Sequence, residues 1–214
     1  MQQLNILITA GPTREALDPV RFISNRSSGK MGYALAEAAR KKGHRVILIS
    51  GPVSLNKPKG IKFFPVETAA QMYKRTLLLS KKADLIVMCA AVADYTLFKT
   101  ERTKIKKHAS TLTLRLRRTK DILAELGRRK TEKQILVGFA AETSNLLENA
   151  QTKLASKNLD YIVANQVGSK TSGFESDYNQ AVLLDRWKGR QKFSRMKKEK
   201  LAERLVSIWI GKRS

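Results

Sequence analysis

Cysteine, histidine and long apolar stretches are scarce in this sequence. The single cysteine among 214 residues, Cys89, lies in an apolar run, which excludes an internal disulfide and is typical of a reducing compartment. No run of 18 apolar residues is present, so we expect no membrane-spanning helix. The first residues, MQQLNILITAGP, lack the basic segment and apolar stretch of a signal peptide. We therefore expect a cytoplasmic protein.

The two histidines, His44 and His108, are far apart in the sequence, and neither has a cysteine or an acidic partner close by. The pattern therefore favours neither a zinc site built by the protein nor a Cys–His nucleophile. We expect any metal to be Mg²⁺ that is bound through the phosphates of a substrate, not by the protein alone.

Acidic residues are also few, since 18 Asp and Glu stand against 42 Lys and Arg and give a formal net charge of +24. Such a charge attracts nucleic acid, anionic lipid or phosphorylated small molecules. The excess is spread over several segments, and a generally solvated basic surface explains it equally well. A nucleic-acid-binding protein would need aromatic side chains along a basic groove, whereas aromatic residues make up 7% and are scattered. We expect no specific nucleic-acid partner.

Short apolar runs, which are typical of buried strands, alternate with helical segments. This alternation predicts an α/β fold with a Rossmann-like, mostly parallel sheet flanked by helices. We expect a single domain over 1–214, with 95–117 as a protruding arm because that region interrupts the alternation. The predicted strands are 3–9, 45–50, 61–66, 85–91, 111–117, 135–141, 161–165 and 181–185, and the predicted helices are 31–43, 68–82, 120–130, 145–158 and 197–210.

About 20 residues separate the first predicted strand from the first predicted helix, whereas such connections usually take 2 to 6. This loop, GPTREALDPVRFISNRSSGK, brings Ser27, Ser28 and Gly29 to the helix start, where free backbone N–H groups favour an anion. Gly11, Gly29 and Gly32 lack the GxGxxG spacing, and no Walker A loop is present. The loop is a candidate phosphate-binding segment, and a simple capping loop is the alternative.

Polar or basic side chains follow several other predicted strands. Asp94 follows the strand 85–91, where its carboxylate could contact a base, a ribose or a metal, or could simply occupy a turn. Phe139 in FAAET could stack on a base or pack in the core. Lys153 and Lys157 are four residues apart and so share one helix face. Ligands of such folds bind outside the carboxyl ends of the strands, and this places the candidate site at that edge.

The segment TKIKKHA, residues 103–109, contains Lys104, Lys106 and Lys107. In an extended segment the first two point to one side and the third to the other. Lysine ammonium groups are mobile point charges that suit a polyphosphate. A solvated run of charge is the structural alternative.

Taken together, these segments resemble one family. ITAGPTREALDPVRFISNRSSGKMGYALA, AAVADY, KIKK, VGFAAET, KNLDYIVAN and GFESDYN occur in the order and spacing of bacterial phosphopantothenate–cysteine ligase. The resemblance implies a ligase that joins 4′-phosphopantothenate to L-cysteine with CTP, through an acyl-cytidylate, in coenzyme A biosynthesis. It also implies a homodimer formed through the arm. Because Met1 directly precedes the first strand, we expect the form without the flavin-dependent decarboxylase domain.

The resemblance also implies roles for particular residues. Asn25 is expected to act on the acyl-cytidylate, by donating to an oxyanion or by orienting the intermediate, and Lys104 to bind the nucleotide triphosphate. The expected nucleotide contacts are Gly11, Ser27, Ser28, Gly29, Asp94, Lys104, Asp121, Ile122, Phe139, Lys153 and Lys157. The expected substrate contacts are Arg21, Asn25, Ala90 and Asn165.

Two residues depart from the family pattern. Lys120 in RTKDIL replaces a usual proline, and Arg26 stands where many members have histidine.

Other interpretations of the sequence are an ATP-using version of the same ligase, or a basic nucleotide- or nucleic-acid-binding protein with this fold. A nicotinamide-dependent oxidoreductase is disfavoured because Gly51 and Pro52, not an acid, follow the strand RVILIS.

Overall fold

The structure of the protein, a computed structural model, describes residues 2–106, 110–166 and 176–211. The strands in chain order are β1 Asn5–Ala10, β2 Arg14–Ala16, β3 Phe22–Ser24, β4 Arg45–Ser50, β5 Lys62–Pro65, β6 Leu85–Met88, β7 Tyr95–Leu97, β8 Leu116–Arg118, β9 Ile135–Glu142, β10 Tyr161–Gln166, β11 Tyr178–Asp185 and β12 Arg190–Lys197. The helices are α1 Lys30–Lys41, α2 Ala69–Ser80, α3 Ile122–Arg129, α4 Leu146–Ser156 and α5 Lys198–Gly211.

Eight strands form one sheet with the order β12-β11-β10-β9-β6-β1-β4-β5. The six strands from β10 to β5 in this order run parallel, and β11 and β12 continue the sheet antiparallel. This confirms the predicted mostly parallel α/β fold. The hairpin β2–β3 and the pair β7–β8 lie outside the large sheet.

The apolar core lies on both faces of the sheet because successive strand side chains point to opposite faces. Ile6 and Ile8 of β1 pack in the cluster that includes Leu35 of α1 and Trp209 of α5. Leu7, between them, packs in the cluster formed with α2, α3 and α4. Burying each such aliphatic side chain contributes about 1.5–3 kcal/mol. The two layers of helices fix the sheet and leave its carboxyl edge to the loops.

Several predicted boundaries are confirmed to within a few residues, and Thr68 caps α2 through its side chain and a capping box. The predicted strand 111–117 is wrong over 111–115, because its only described partner, β7, is three residues long and pairs with β8. The strand β12 and the hairpin β2–β3 were not expected. In β12 the fully buried side chain is Phe193, so this polar edge strand lacks an apolar signal.

The predicted arm over 95–117 begins in β7 and reaches β8, and its role stays a prediction, as does the assignment of 1–214 to one ligase domain. Lys107 and His108 lie outside the described residues, as do the first residues of GFESDYN. In the described part of the chain, no helix combines the length and the apolar character needed to cross a membrane.

A buried ion cluster lies at the amino edge of the sheet, opposite the carboxyl edge. The Asp160 carboxylate, at the start of β10, accepts from Lys130 Nζ at 2.6 Å, from the backbone N–H of Leu136 at 2.8 Å and from Arg186 Nη1 at 3.2 Å. The side chains of Lys130 and Asp160 are 5% and 8% exposed. Removing the Asp160 carboxylate would leave the Lys130 ammonium buried without that compensation.

We predict that Asp160→Asn lowers the free energy of unfolding by about 3 kcal/mol, because the Lys130 ammonium loses its carboxylate while staying buried. Urea unfolding measures this loss. The control is Glu37→Gln, which breaks an ion pair with Arg40 whose two side chains are each over a third exposed. It should cost less than about 1 kcal/mol. Equal losses in the two variants would contradict the assignment.

Candidate functional site

A cavity of about 720 Å³ lies at the carboxyl edge of the parallel strands. The opening loop, the start of α1, the segment that follows β6 and the carboxyl ends of β9 and β10 contribute to its lining. The strand pattern predicts that these segments meet at one edge of the sheet. Open α/β sheets bind their ligands outside the carboxyl ends of the strands, which is this edge. The candidate site therefore lies where the alternation of strands and helices predicts.

Many of the predicted site residues share this cavity. The ones that line it are Asn25, Ser27, Gly29, Ala90, Asp94, Asp121, Ile122, Phe139, Lys153, Lys157 and Asn165. Gly11, Ser28, Arg21 and Lys104 are outside the lining. Basic side chains without an assigned role also line it, namely Arg26, Lys30, Arg118, Lys120 and Lys198. The individual binding roles stay predictions.

The opening loop is held against the segment that follows β6. The Asn25 side-chain amide donates to the carbonyl oxygens of Ala91 at 3.3 Å and Val92 at 3.0 Å. The Thr13 hydroxyl accepts from the backbone N–H of Ala93 at 2.9 Å. Because the Asn25 Nδ2 already has two backbone acceptors, donation to a substrate oxyanion would compete with these bonds.

The start of α1 approaches the end of β1 very closely. Gly29 is the N-cap residue of α1 in the left-handed conformation with φ 75°, and it has no side chain that could cap the first turn of the helix. A Cβ on Gly32 would lie 2.5 Å from the Cβ of Ala10, so only glycine fits there. The first-turn N–H groups of a helix are free to bind an anion. At Gly29 the geometry agrees with the phosphate-binding interpretation of the loop.

Two of the predicted nucleotide-binding lysines already have carboxylate partners. Lys157 Nζ lies 2.8 Å from Asp121, whose carboxylate also caps α3 by accepting from the N–H of Ala124. Burial opposes the charge on Asp121, but the hydrogen bonds from Lys157 and the backbone lower its pKa. Lys153 pairs with Glu142. An incoming phosphate would therefore share these lysines with fixed carboxylates.

Lys104 is exposed, and the loop that carries it is anchored from the opening segment. The Asp18 carboxylate accepts from the backbone N–H of Ile105 at 3.1 Å, and Arg21 Nη2 donates to the Ile105 carbonyl at 2.8 Å. Arg21 also binds Asp18 directly at 2.6 Å. Arg21, predicted as a substrate contact, is here a brace for the backbone beside Lys104.

The Asp18 carboxylate of this brace stays ionised in acid. Burial opposes the charge on Asp18, but the Arg21 side chain and the backbone N–H groups of Ile105, Val20 and Arg21 hold the pKa of Asp18 well below its usual range. The stabilisation that ionised Asp18 gives the folded protein is therefore fully present at pH values above the ordinary carboxyl pKa of about 4. It is lost only as the pH falls through the lowered pKa of the folded protein.

The cavity holds other groups that the sequence did not single out. Asn179 and Lys198 line it and are 5% and 4% exposed. Cys89 also lines it, and burial raises the pKa of its thiol to about 12. Asn179 lies in GFESDYN, so this motif was a sequence signal for it, whereas no sequence signal marks a lysine at the start of the last helix.

Among the described residues, no three His, Cys, Asp or Glu side chains are grouped as metal ligands.

The fold and this cavity define an α/β protein with a basic cavity at the carboxyl edge of its sheet. Residues 1–211 match the model of the family described as the DNA/pantothenate metabolism flavoprotein C-terminal domain. The chain belongs to this family.

Among curated proteins, it is similar to the coenzyme A biosynthesis bifunctional protein CoaBC of Bacillus subtilis (strain 168), with 56% identity over 181 residues, 84% of this chain and 44% of the relative. The protein of the same name from Escherichia coli (strain K12) is 44% identical over 209 residues, 96% of this chain and 51% of the relative. The chain spans about half the length of these relatives. A crystal structure of the C-terminal domain of CoaBC superimposes with a TM-score of 0.83 at 39% identity, over 98% of this chain and 95% of that chain.

We predict that Asp18→Asn speeds hydrogen exchange at the Ile105 amide by about tenfold or more, since this N–H loses its charged acceptor. Exchange measured by mass spectrometry at pH 5 and pH 7 tests it, because the brace stays ionised at both values. The control is Glu101→Gln, a change at the exposed carboxylate near Lys99. Unchanged exchange in Asp18→Asn, or the same increase in the control, would show that Asp18 does not anchor the loop.

Proposed function

We propose that the protein is a phosphopantothenate–cysteine ligase of coenzyme A biosynthesis that uses CTP and forms an acyl-cytidylate. The observation that carries this proposal is one basic cavity in which Asn25, Phe139, Lys153 and Lys157 meet. The names of the relatives, coenzyme A biosynthesis bifunctional proteins, support the pathway.

The proposed chemistry has two steps. A carboxylate oxygen of 4′-phosphopantothenate attacks the α-phosphorus of CTP, the bond from that phosphorus to the bridging oxygen breaks, and pyrophosphate leaves. The amine of cysteine then attacks the acyl carbon, loses a proton and expels CMP with the attacking carboxylate oxygen. A carboxylate is a poor acylating agent, and the mixed anhydride supplies the leaving group that it lacks.

Anionic substrates and an anionic leaving group require fixed positive charge and free N–H groups at the reacting phosphorus. The lining supplies positive charge through Lys153, Lys157 and Arg118, and it includes the start of α1, where the helix dipole favours an anion. Lys104 lies outside the lining, and in the proposal its loop delivers the ammonium to the triphosphate. Mg²⁺ enters bound to the nucleotide phosphates and supplies further charge neutralisation there.

A preference for CTP over ATP requires hydrogen bonds to the small cytosine ring. Ala140, Ala141 and Asn165 bring backbone groups of β9 and β10 to the cavity wall beside Phe139. Because backbone groups are fixed in place, they can distinguish the edges of two bases, and we assign base recognition to this wall.

The purified protein with Mg²⁺ and 4′-phosphopantothenate should form CMP and pyrophosphate from CTP, dependent on cysteine and at least about tenfold faster than AMP from ATP, since unpaired polar groups reject the wrong base. Coupled pyrophosphate release and chromatography of the nucleotides measure both products. Faster AMP formation would support the ATP-using version instead. Absence of both monophosphates would refute the ligase.

Two substitutions, measured in the same assay, test which reaction step Lys104 and Asn25 each serve. Lys104→Gln should lower pyrophosphate release on the order of 100-fold, because a charge on the triphosphate is lost. Asn25→Asp should release one equivalent of pyrophosphate and then stall before CMP forms. Lys99→Gln, at an 81% exposed side chain on the same loop, serves as the control. Normal turnover in Lys104→Gln or Asn25→Asp would remove that residue from its assigned step.

We also propose a homodimer formed through the arm, as the resemblance implies. Large apolar side chains are exposed in this region, including Phe98 at 64%, Leu112 at 55% and Leu116 at 43%. A patch of exposed apolar side chains on a soluble protein marks an interaction surface. The strand pair β7–β8 offers unpaired edges beside it, which a second copy can extend.

Light scattering should give the mass of a dimer for the wild type and a monomer for Phe98→Glu, because a buried charge at the contact is costly. Trp187→Glu, at a residue that is 55% exposed on the distant hairpin between β11 and β12, should stay dimeric. A monomeric wild type, or a dimeric Phe98→Glu, would exclude this surface.

A further inference from the structure

The α4 side of the β11–β12 hairpin carries a row of basic side chains. β12 stands at the end of the strand order and is an edge strand of the large sheet. Arg190 of β12 lies opposite Leu184 of β11, and Lys192 lies opposite Val182. Both β11 side chains pack in the apolar cluster formed with α4. Because opposite residues of an antiparallel pair share one face of the sheet, Arg190 and Lys192 point to the α4 side.

The row continues to the end of β12. Met196 packs against the apolar cluster formed with α5. Its neighbours Arg195 and Lys197 therefore point to the opposite side of the sheet, which is that of α4. All four basic residues of the row are exposed. The cationic face, as we name it, consists of this row and of the residues beside it on the hairpin, namely Tyr178, Gln180, Val182, Arg190, Lys192, Ser194, Arg195 and Lys197.

The charge of the cationic face has no local compensation. Residues 186–198 contain seven Lys and Arg and no Asp or Glu. Within the described ranges of the chain, no carboxylate forms an ion pair with any of the four basic residues of the row. Elsewhere on the surface, Arg128 and Arg129 share the carboxylate of Glu125. A second copy of the chain would bring the same charge and be repelled, so the cationic face fits an anionic partner.

The side chains between the cations favour a nucleic acid as this partner. The Arg195 guanidinium stacks on the Tyr178 ring, with 4.2 Å between its Cζ and the ring centroid. Tyrosine rings and guanidinium planes are platforms on which unpaired bases stack. An anionic lipid surface would require several exposed apolar side chains, and the cationic face has no large one that is exposed. The face therefore suits a single strand, whose bases are open to stacking.

Neutral polar side chains on the same face favour RNA over DNA. Gln180 and Ser194 are exposed there. An amide and a hydroxyl group can each donate to and accept from the ribose 2′-hydroxyl, which DNA lacks.

A groove extends the cationic face toward the turn of the hairpin. It has a volume of about 570 Å³ and lies between α4 and the hairpin. Arg186, Lys188 and Arg190 border it on the hairpin side, and Leu154 and Asn158 border it on the side of α4. Positively charged grooves of this kind follow the backbone of single-stranded nucleic acids. With the eight residues of β12, which span roughly 26 Å, the face is long enough for several nucleotides.

We propose that the cationic face and this groove bind single-stranded RNA without sequence specificity. Phosphates contact the basic row, and a base stacks on the pair formed by Arg195 and Tyr178. None of the four basic residues of the row lines the cavity at the carboxyl edge. The RNA surface is therefore separate from the candidate ligase site, and it goes beyond the proposed function without depending on it.

Fluorescence anisotropy of labelled U20 at about 0.15 M salt measures the affinity. The wild type should bind with a Kd on the order of 10 µM. The triple variant Arg190→Gln, Lys192→Gln, Arg195→Gln should bind at least about tenfold more weakly. Its slope of log affinity against log salt should fall by about 2, since each lost phosphate contact removes about 0.7. The matched control removes the same charge from three exposed lysines, as Lys81→Gln, Lys82→Gln, Lys133→Gln, and should stay within about threefold of the wild type.

Arg195→Lys separates stacking from charge. It keeps the positive charge but removes the planar guanidinium. The affinity for U20 should fall by about fivefold or more, the value of one stacked base, while the salt slope stays that of the wild type. An affinity equal to that of the wild type would exclude the stack as a base platform.

Three competing ligands test the choice of RNA. The dU20 strand, which differs from U20 only in the 2′-hydroxyl, and polyglutamate of the same length should bind more weakly than U20. Equal affinity for dU20 would overturn the assignment to RNA, and equal affinity for polyglutamate would assign the face to an acidic protein. Saturating CTP with Mg²⁺ should leave U20 bound, and displacement by CTP would place the RNA in the cavity instead.

Other results would overturn the surface as a whole. One is a wild type that does not bind U20, and another is equal affinity in the triple variant and its control. If the triple variant binds U20 like the control but aggregates, the basic row only protects an edge strand. Circular dichroism verifies that each variant is folded. Ligase turnover of the triple variant should equal that of the wild type, so failure of the RNA surface and failure of the proposed function are separate results.

Discussion

The close contact between α1 and the end of β1 is the constraint on which the candidate site depends. Gly32 leaves space for Ala10, and Gly29 turns the chain in the left-handed conformation directly before the helix. A side chain at Gly32 would push the helix away from the sheet and move its first N–H groups out of the cavity. The position of these groups, and hence of any phosphate that they bind, follows from the absence of two Cβ atoms.

Carboxylates hold part of the positive charge in the cavity. Asp121 binds Lys157 and Asp177 binds Lys30, so each ammonium has a fixed direction before a ligand arrives. Such preorganisation lowers the reorganisation that an anionic transition state would otherwise require. The net charge of +24 attracts anionic substrates from a distance, whereas these ion pairs decide where the charge acts.

The sequence predicts much of the fold because buried parallel strands such as β1 and β6 are continuous apolar runs. It does not predict β12, whose inward residue Phe193 stands among polar neighbours, and it overextends β8 because alternation alone does not supply a pairing partner. In the site, the motifs that resemble the family locate Asn25 and Lys153. Lys198 escapes prediction because its burial depends on how α5 packs against α1.

The central claim is that the cavity forms an acyl-nucleotide, and oxygen transfer tests it most directly. 4′-Phosphopantothenate labelled with ¹⁸O in its carboxylate is turned over with CTP and cysteine, and the nucleotide product is analysed by mass spectrometry. Attack of the carboxylate on the α-phosphorus predicts one ¹⁸O atom in CMP. Unlabelled CMP, or ¹⁸O in inorganic phosphate with CDP as the nucleotide product, would contradict the acyl-cytidylate.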